Sequence, residues 1–297
     1  TVSNVGGGSG TVGSRKVKSA RPDGYRILCS HNAVITAQLA ETVTYGPEAF
    51  EPICLTGTMA MVVVVREDSP FVDLPGLLTA AKAKPREVTF GANQGTPPYF
   101  TALQLQEAVP GAEFSLVSAK GGAVRYARII GGHLDAGIFS LSEYLDFLLP
   151  EGTPPADNIR ALVILSPSRH EVNPVVATSE EQGVLVYSEN SNYWFAPKST
   201  PPEIIAYLAS GFEKALQNET VKERLHEIRV DTVFMKGDEF TAYLDEAAAG
   251  FEATTGNAQV TLPDFPKIVS WIVGLLLVWV VIDALFKRRE KGVEGED

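Results

Sequence analysis

The chain has 297 residues, of which 45% are hydrophobic and 21% are charged, as expected for a globular protein of one large or two ordinary domains. Its formal net charge is −11, and basic residues cluster only at the extreme C-terminus. This balance argues against a nucleic-acid partner. The chain starts at Thr1 rather than methionine, so we expect a processed or truncated N-terminus.

Strand-like and helix-like segments alternate along most of the sequence. The expected strands are 25–30, 51–55, 60–65, 87–90, 113–117, 136–139, 161–165 and 193–196. The expected helices are 74–83, 96–108, 119–131, 141–148, 202–217, 219–228 and 236–255. Such alternation predicts an α/β fold with mostly parallel strands.

Near the N-terminus, Gly8 to Gly13 match the dinucleotide-binding pattern G-x-G-x-x-G, with 1–5 as a potential preceding strand and 14–20 as a potential helix. The pattern also needs an acidic residue about 20 positions further on, to hold a ribose hydroxyl. The next strand-like run ends in Cys29-Ser-His-Asn32, which contains no acid. A nucleotide role is therefore a remote alternative to a flexible glycine-rich connection.

Two cysteines, Cys29 and Cys54, lie in apolar, strand-like runs. They could form a disulfide if those strands are neighbours, and two buried free thiols fit the pattern equally well. The histidines never lie at i, i+3 or i, i+4, so we predict no metal site and interpret each as structural or exposed: His31, His133, His170 and His226.

The segment 88–106 has a short strand-like run, a tight polar turn and a helix-like pattern. Gly91 and Gly95 leave the turn backbone bare, Thr96 can cap the helix, and Pro97 and Pro98 suit its first turn. Free N–H groups at the positive end of a helix dipole favour an anion. Taken alone, the pattern fits both an anion site and an ordinary, well-capped loop.

A second glycine-bearing turn, Lys120-Gly-Gly122, opens a helix-like segment after strand 113–117. Arg125 and Arg128 follow on that helix, where we expect a solvated basic face. Ser140 stands at the end of the next strand. These turns contain no nucleophile–base pair and no metal ligands, so they predict binding without catalysis and without a cofactor.

Residues 268–286 form a 19-residue apolar run that carries a single charge, Asp283. A bilayer core needs roughly 20 apolar residues, so we predict a transmembrane helix here. Four basic residues follow between 287 and 291, against Lys267 alone just before. The positive-inside rule then puts the tail, 287–297, in the cytoplasm and the residues before the 261–267 linker outside.

The order of several motifs is familiar: Ala20-Arg-Pro-Asp-Gly-Tyr-Arg-Ile-Leu28, Tyr45-Gly-Pro47, Phe50-Glu-Pro-Ile53, Phe90-Gly-Ala-Asn-Gln-Gly-Thr96, Lys120-Gly-Gly122, Ile130-Gly-Gly-His-Leu-Asp135, Tyr193-Trp-Phe-Ala-Pro197 and Thr200-Pro-Pro202. In this order the chain resembles the extracytoplasmic solute receptors of tripartite tricarboxylate transporters, also called Bug receptors. The resemblance runs from Thr1 to about Gln259, and the Pro-Asp-Gly-Tyr motif and the Gly-Thr turn are its most specific parts.

The resemblance implies a type II-like periplasmic binding protein with two α/β domains, a hinge and a cleft, plus the C-terminal transmembrane helix. Domain I would comprise 1–65 and 195–260, and domain II would comprise 66–194. Such a protein is no enzyme. It would bind a small di- or tricarboxylate outside the cytoplasm and deliver it to membrane transporter subunits. The implied ligand-binding residues are Gly91, Ala92, Asn93, Gln94, Gly95, Thr96, Lys120, Gly121, Gly122 and Ser140.

Three features depart from the family pattern. A strand–turn–helix unit that supplies half of the ligand pocket would precede Thr1, so we expect an exposed edge in the domain I sheet. Pro97-Pro-Tyr-Phe100 replaces a usual histidine, and Val117-Ser-Ala-Lys120 replaces a Val-Pro-Tyr-Lys-like run. A membrane span is unusual for these receptors. An interaction or sensor module that has lost its ligand is therefore the alternative function.

Overall fold

The computed structural model describes residues 1–257, with side chains described up to Thr254. Within this range the α-helices are α1 (Thr11–Lys18), α2 (Ala33–Leu39), α3 (Leu74–Ala83), α4 (Pro97–Ala108), α5 (Gly122–Ile130), α6 (Leu141–Phe147), α7 (Pro202–Leu216), α8 (Glu219–Glu227) and α9 (Gly237–Asn257). The linker, the transmembrane helix and the cytoplasmic tail predicted from the sequence lie outside the described residues. Among the helices of residues 1–257, none combines the length and apolarity needed to cross a membrane.

The described strands are β1 (Leu28–Ser30), β2 (Phe50–Arg66), β3 (Thr89–Gly91), β4 (Ser115–Val117), β5 (Ala136–Ser140), β6 (Ile159–Ile164), β7 (Glu189–Pro197) and β8 (Met235–Lys236). The sequence predicted two strands where the structure has the single 17-residue β2. The intervening residues stay extended because Thr58 bridges Asp231, although the register shifts between Leu55 and Thr58.

The strand order is β1-β7-β2-β5-β3-β4, and β6 and β8 also pair with β2. The prediction of mostly parallel strands is wrong. Among the strands of residues 1–257, only the pairings β3–β4 and β3–β5 are parallel, whereas β7, β5, β6 and β8 all run antiparallel to β2, and β1 runs antiparallel to β7. The reason is that β2 and β7 each lie between strands that run in the opposite direction. Short local sequence patterns cannot reveal the direction in which a strand crosses the sheet.

The long strand β2 divides the sheet into two halves. Up to Ala60 it pairs with β7 and β8, in what we call the first half-sheet. From Met61 onwards it pairs with β5 and β6, in the second half-sheet. Val62 to Val65 are fully buried, because helices cover both faces there. The predicted division into domains at residues 65 and 195 stays a prediction.

Strand β1 lies at the outer end of the first half-sheet, where it pairs with β7. The cysteines are both free, Cys29 exposed and Cys54 buried. Trp194 of β7 lies between them in the register. Two strand spacings separate their backbones by roughly 10 Å, which exceeds disulfide reach. The disulfide alternative is therefore wrong in this structure.

The glycine-rich segment near the N-terminus also differs from the dinucleotide pattern. Gly8–Gly10 forms a 3-10 turn that leads into α1, but residues 1–5 join no strand of the described sheet. The strand–turn–helix unit that places a pyrophosphate on a helix N-terminus is therefore incomplete. Sequence patterns also missed α2, whose side chains from Ala33 to Ala37 are nearly all buried.

Candidate functional site

Three predicted binding segments follow the carboxyl ends of three neighbouring strands. Parallel strands β5, β3 and β4 lie side by side, and the turns after them contain Ser140, the 91–96 segment and the 118–122 segment. Ligands of open α/β sheets bind in the crevice outside such strand ends. The fold therefore brings all three segments to one edge of the second half-sheet.

The turn after β3 is fastened to the turn after β4. The side-chain amide of Asn93 donates to the carbonyl of Ala119 at 3.1 Å, and the Ser118 hydroxyl donates to the Asn93 side-chain oxygen at 2.8 Å. Because Asn93 uses both ends of its amide, it sets the spacing of the two backbones.

The helix start after this turn is poorer in donors than its sequence suggested. Thr96 is the N-cap of α4, but its hydroxyl donates to the Asn93 carbonyl instead of accepting from the helix. Pro97 and Pro98 have no N–H, and the Tyr99 N–H donates to the Thr96 carbonyl. The predicted N-cap position is therefore confirmed, but the Thr96 side chain does not form the capping bond. The remaining free donors lie earlier in the turn.

Those donors are the backbone N–H groups of Asn93, Gln94 and Gly95, which reach no acceptor in the described part of the chain. Gln94 is exposed, whereas Gly91, Ala92 and Gly95 are buried. Gly95 has a φ of 76°, which glycine adopts without strain. Three successive N–H groups with no acceptor among the described residues are available to donate to an anion.

Helix α2 of the first half-sheet closes over this turn. The Thr36 hydroxyl donates to the Gly95 carbonyl at 3.2 Å, and a side-chain carbon on Gly95 would lie 3.1 Å from both Ala40 and Thr42. Thr36 is fully buried. The turn therefore lies at the contact between the two half-sheets.

The turn after β4 is more open. Lys120 and Gly121 are exposed, Gly122 is buried, and Gly121 has a φ of 87° with open space where a side chain would begin. Arg128 donates to the Ser118 carbonyl at 2.8 Å and so braces the turn from its own helix. The exposed Lys120 ammonium adds a positive charge beside the α5 N-terminus.

The expectation that Arg125 lies on a solvated face is wrong. Its residue surface is only 5% exposed, because Gly91 and Gly137 leave room for its methylenes against the sheet. The guanidinium carbon lies 4.7 Å from the ring centre of Phe139. Burial lowers the pKa of the guanidinium, and the nearby Glu143 partly offsets that effect.

Ser140 ends β5 and is the N-cap of α6. Its hydroxyl accepts from the Glu143 N–H at 3.2 Å, while its own N–H donates to the Glu143 carboxylate at 3.2 Å, which completes a capping box. The hydroxyl is thus engaged in holding α6. Glu143, which sequence reasoning missed, links Ser140 to Arg125 and to the α5 N-terminus.

A cavity of about 580 Å³ lies at the change of partners along β2 and is lined by residues that include Thr58, Arg169, His170, Tyr187, Glu189 and Asp231. His170 accepts from the Val172 N–H at its Nδ1, and its Nε2 lies 3.1 Å from the Asp231 carboxylate. We therefore assign the proton to Nε2, which donates to Asp231. The expectation that His170 is structural fits this pairing.

A second cavity of about 210 Å³ is lined by residues that include Asn32, Gln104, Glu189 and Tyr243. Glu189 accepts from the hydroxyls of Ser191 and Tyr243, and its carbonyl accepts from the Asn32 amide. Burial, the neighbouring Tyr193 and the bond to Glu189 raise the pKa of Tyr243. Neither cavity is lined by a residue of the 91–96 or 120–122 turns. The sequence analysis did not predict the polar network around Glu189.

The described residues contain no cluster of three or more histidine, cysteine or acidic side chains arranged to hold a metal ion. The candidate site consists of backbone donors, Lys120, the buried Arg125 and the Glu143 carboxylate.

Comparison with known proteins identifies the family. The model of the tripartite tricarboxylate transporter family receptor matches residues 1–253. A UPF0065 protein of Agrobacterium vitis is 30% identical over 227 residues, which are 75% of this chain and 64% of that protein. The chain therefore spans slightly less than two thirds of that relative's length.

Two solved structures share the fold. Periplasmic binding protein BugD is 23% identical, with a TM-score of 0.71 and coverage of 86% of this chain and 85% of that one. A Rhodopseudomonas palustris protein, Rpa4515, solved with adipate is 21% identical, with a TM-score of 0.72 and coverage of 84% and 83%. The fold is therefore an α/β periplasmic-binding-protein-like fold, and the chain belongs to the tripartite tricarboxylate transporter receptor family.

Proposed function

We propose that this protein is an extracytoplasmic solute receptor that binds a small organic di- or tricarboxylate and delivers it to the membrane subunits of a tripartite tricarboxylate-type transporter. The observation that carries the proposal is the set of unpaired N–H groups of Asn93, Gln94 and Gly95 at the strand edge that Lys120 and Ser140 share. Family membership supports the same conclusion.

The ligand would lie over the turns after β3 and β4. One carboxylate would accept from the N–H groups of the 91–96 turn, and Lys120 would add charge attraction from the side. Solute receptors of this fold close by a hinge between two lobes. The change of partners at Ala60–Met61 on β2 is a natural hinge, since both half-sheets meet there. The structure solved with adipate is consistent with a dicarboxylate as ligand.

For the location, we propose a single-pass membrane protein whose binding part faces outward. The proposal rests on the apolar sequence of residues 268–286 and on the basic residues that follow it. Such a tether would raise the concentration of the receptor near its transporter. Protease protection in right-side-out vesicles tests it, because the binding part should be digested from outside while the C-terminal tail is protected.

Calorimetric titration of the full chain with citrate, malate, succinate, adipate and benzoate tests the binding function. Two variants sharpen it. Gly121→Ala and Gly152→Ala both place a side chain at a φ near 90° with open space around it, so both carry similar backbone strain. Only Gly121 belongs to the proposed site, so only Gly121→Ala should weaken carboxylate binding. A folded full chain that responds to none of the five acids would contradict the proposal.

One observation favours a second function, that of an interaction or sensor module without a ligand. The contact of Thr36 with Gly95 places α2 where it covers part of the anion-binding turn. If this contact is permanent, the turn is closed to solutes. Binding of any of these acids to the full chain would dismiss the alternative.

A further inference from the structure

Arg125 is a buried cation without a hydrogen bond in the described part of the chain. Its residue surface is 5% exposed, and its Nε has no partner although it is buried. The nearest carboxylate oxygen is Oε2 of Glu143, at 4.0 Å from the guanidinium, which is too long for a hydrogen bond. A buried guanidinium of this kind has unused capacity to bind an anion.

The guanidinium is fixed in place. Its methylenes lie against Gly91 and Gly137, where an added side-chain carbon would come within 2.9 Å of them, and its charged end lies over the Phe139 ring. The stem of Arg125 is thus held between α5 and the sheet. The Glu143 carboxylate, which lies near the guanidinium, stands at the α5 N-terminus and marks a side from which an anion can reach it.

That approach is occupied by Glu143. Its carboxylate lies beside Gly122 at the first turn of α5 and accepts from the Ser140 N–H at 3.2 Å and from the Ser140 hydroxyl at 3.4 Å. The Glu143 side chain is 42% exposed, so it can turn outward into water. Its contact to Arg125 and its bond from the Ser140 hydroxyl are long, so the bond from the Ser140 N–H at 3.2 Å is the main contact that this movement must break.

We propose that Arg125 is the binding group for a second carboxylate of the ligand, and that this carboxylate takes the place of the Glu143 carboxylate at the α5 N-terminus. The inference rests on the proposed receptor function and deepens it. A dicarboxylate would bind the 91–96 turn with one end and Arg125 with the other. The exchange leaves the number of charges around Arg125 unchanged. A ligand with a single carboxylate would use that group at the 91–96 turn, so it gains nothing from the exchange.

Glu143→Gln tests the inference, because glutamine keeps the capping box while it removes the competing charge. Succinate, adipate and propionate are titrated against the full chain by calorimetry. We expect Glu143→Gln to lower the Kd of a dicarboxylate by roughly 3- to 10-fold, since a charged competitor is removed. The Kd of propionate should stay within about twofold on the same argument. In the double variant with Arg125→Met the gain should vanish.

Glu223→Gln is the matched control, since Glu223 is exposed on α8 and the substitution changes the net charge equally. Equal dicarboxylate affinities for Glu143→Gln and Glu223→Gln would overturn the inference while leaving the receptor function intact. So would a gain that persists without Arg125, or one shared by propionate. A gain in dicarboxylate affinity that appears in Glu143→Gln and is lost in the double variant with Arg125→Met would support it, whereas no binding by any variant would contradict the inference and the receptor function together. The Glu143→Gln comparison stands even if the Arg125 variant fails to fold.

Discussion

The side-chain amide of Asn93 donates to the carbonyl of Ala119, so one side chain joins the turns after β3 and β4. These turns come from strands that are paired in register, Gly91 against Val117. The spacing of the backbone donors is therefore set by the sheet below and by Asn93 above. A binding site built in this way depends on a side chain that need not touch the ligand.

Asn93→Ala should loosen both turns. It removes the bond to Ala119 and leaves the Ser118 hydroxyl without its acceptor, so we expect a loss of about 1 kcal/mol in the free energy of unfolding. Carboxylate affinity should fall as well. The comparison is Gln94→Ala, which truncates an exposed neighbour in the same turn. Urea denaturation and calorimetry measure both effects, and identical behaviour of the two variants would refute the role assigned to Asn93.

Gly137→Ala should destabilise the protein by roughly 1–3 kcal/mol, because overpacking forces the neighbours to shift. The new carbon would lie 2.9 Å from Cδ and 3.0 Å from Cγ of Arg125, which is itself buried. Gly211→Ala on α7 is the control, since nothing lies within 4 Å of its added carbon. That change should be neutral or stabilising by up to about 1 kcal/mol through helix propensity. The midpoints of urea unfolding decide between the two outcomes.

The two thiols should react very differently in the native protein. Burial raises the pKa of Cys54 to about 12, with Cys29 contributing and Lys236 opposing. Burial also raises the pKa of Cys29, so the exposed Cys29 should react slowly with a thiol reagent at pH 8, and Cys54 only after unfolding. Because the folded pKa of Cys54 exceeds its unfolded value, its contribution to stability is complete below pH 9 and is lost as the pH rises toward 12. A Cys54→Ala variant should lose less stability over that alkaline range, and rapid reaction of both native thiols would contradict the assignment.

Thr36→Val probes the closure of α2 over the anion-binding turn. The change keeps the shape of the side chain but removes the hydroxyl that bonds to the Gly95 carbonyl, so stability should fall by about 1 kcal/mol. If the contact opens and closes, a succinate titration should show faster or tighter binding in the variant. Unchanged binding together with reduced stability would mean that the contact only holds the fold. Thr101→Val is a useful control, since Thr101 is equally buried but bonds to Pro97 within α4 and to Ser188.

Local pattern was enough to find the binding turns. The change from a two-residue to a helical period around Gly91–Thr96 and around Gly122 marks strand ends and helix starts, and the structure has both in place. The predicted place of Ser140 at the end of a strand is also confirmed. These features depend on residues within a few positions of each other, which is the range that periodicity and capping patterns report.

Most of the failures came from contacts between residues far apart in the sequence. Arg125 is buried because two glycines, 34 positions before it and 12 positions after it, leave a channel for its stem, and no window on α5 contains both. The antiparallel pairing of β2 with β7 joins residues that are far apart in the chain, from Ala60 with Glu189 to Phe50 with Pro197. Thr96 could cap in principle, but its hydroxyl found a nearer acceptor in its own turn. Helical spacing predicts the direction in which a side chain points, but not which residues it packs against.

Because β2 passes through both half-sheets, its two parts find their partner strands at different times during synthesis. Its first part pairs with β7, which is complete only at Pro197, and its second part pairs with β5 and β6. A nascent chain that has left the ribosome as far as Ile164 therefore holds a strand that is paired along its second part only. Until the next 33 residues emerge, the apolar first part of β2 is open to any passing strand edge, and this is the interval in which a holding chaperone would matter most.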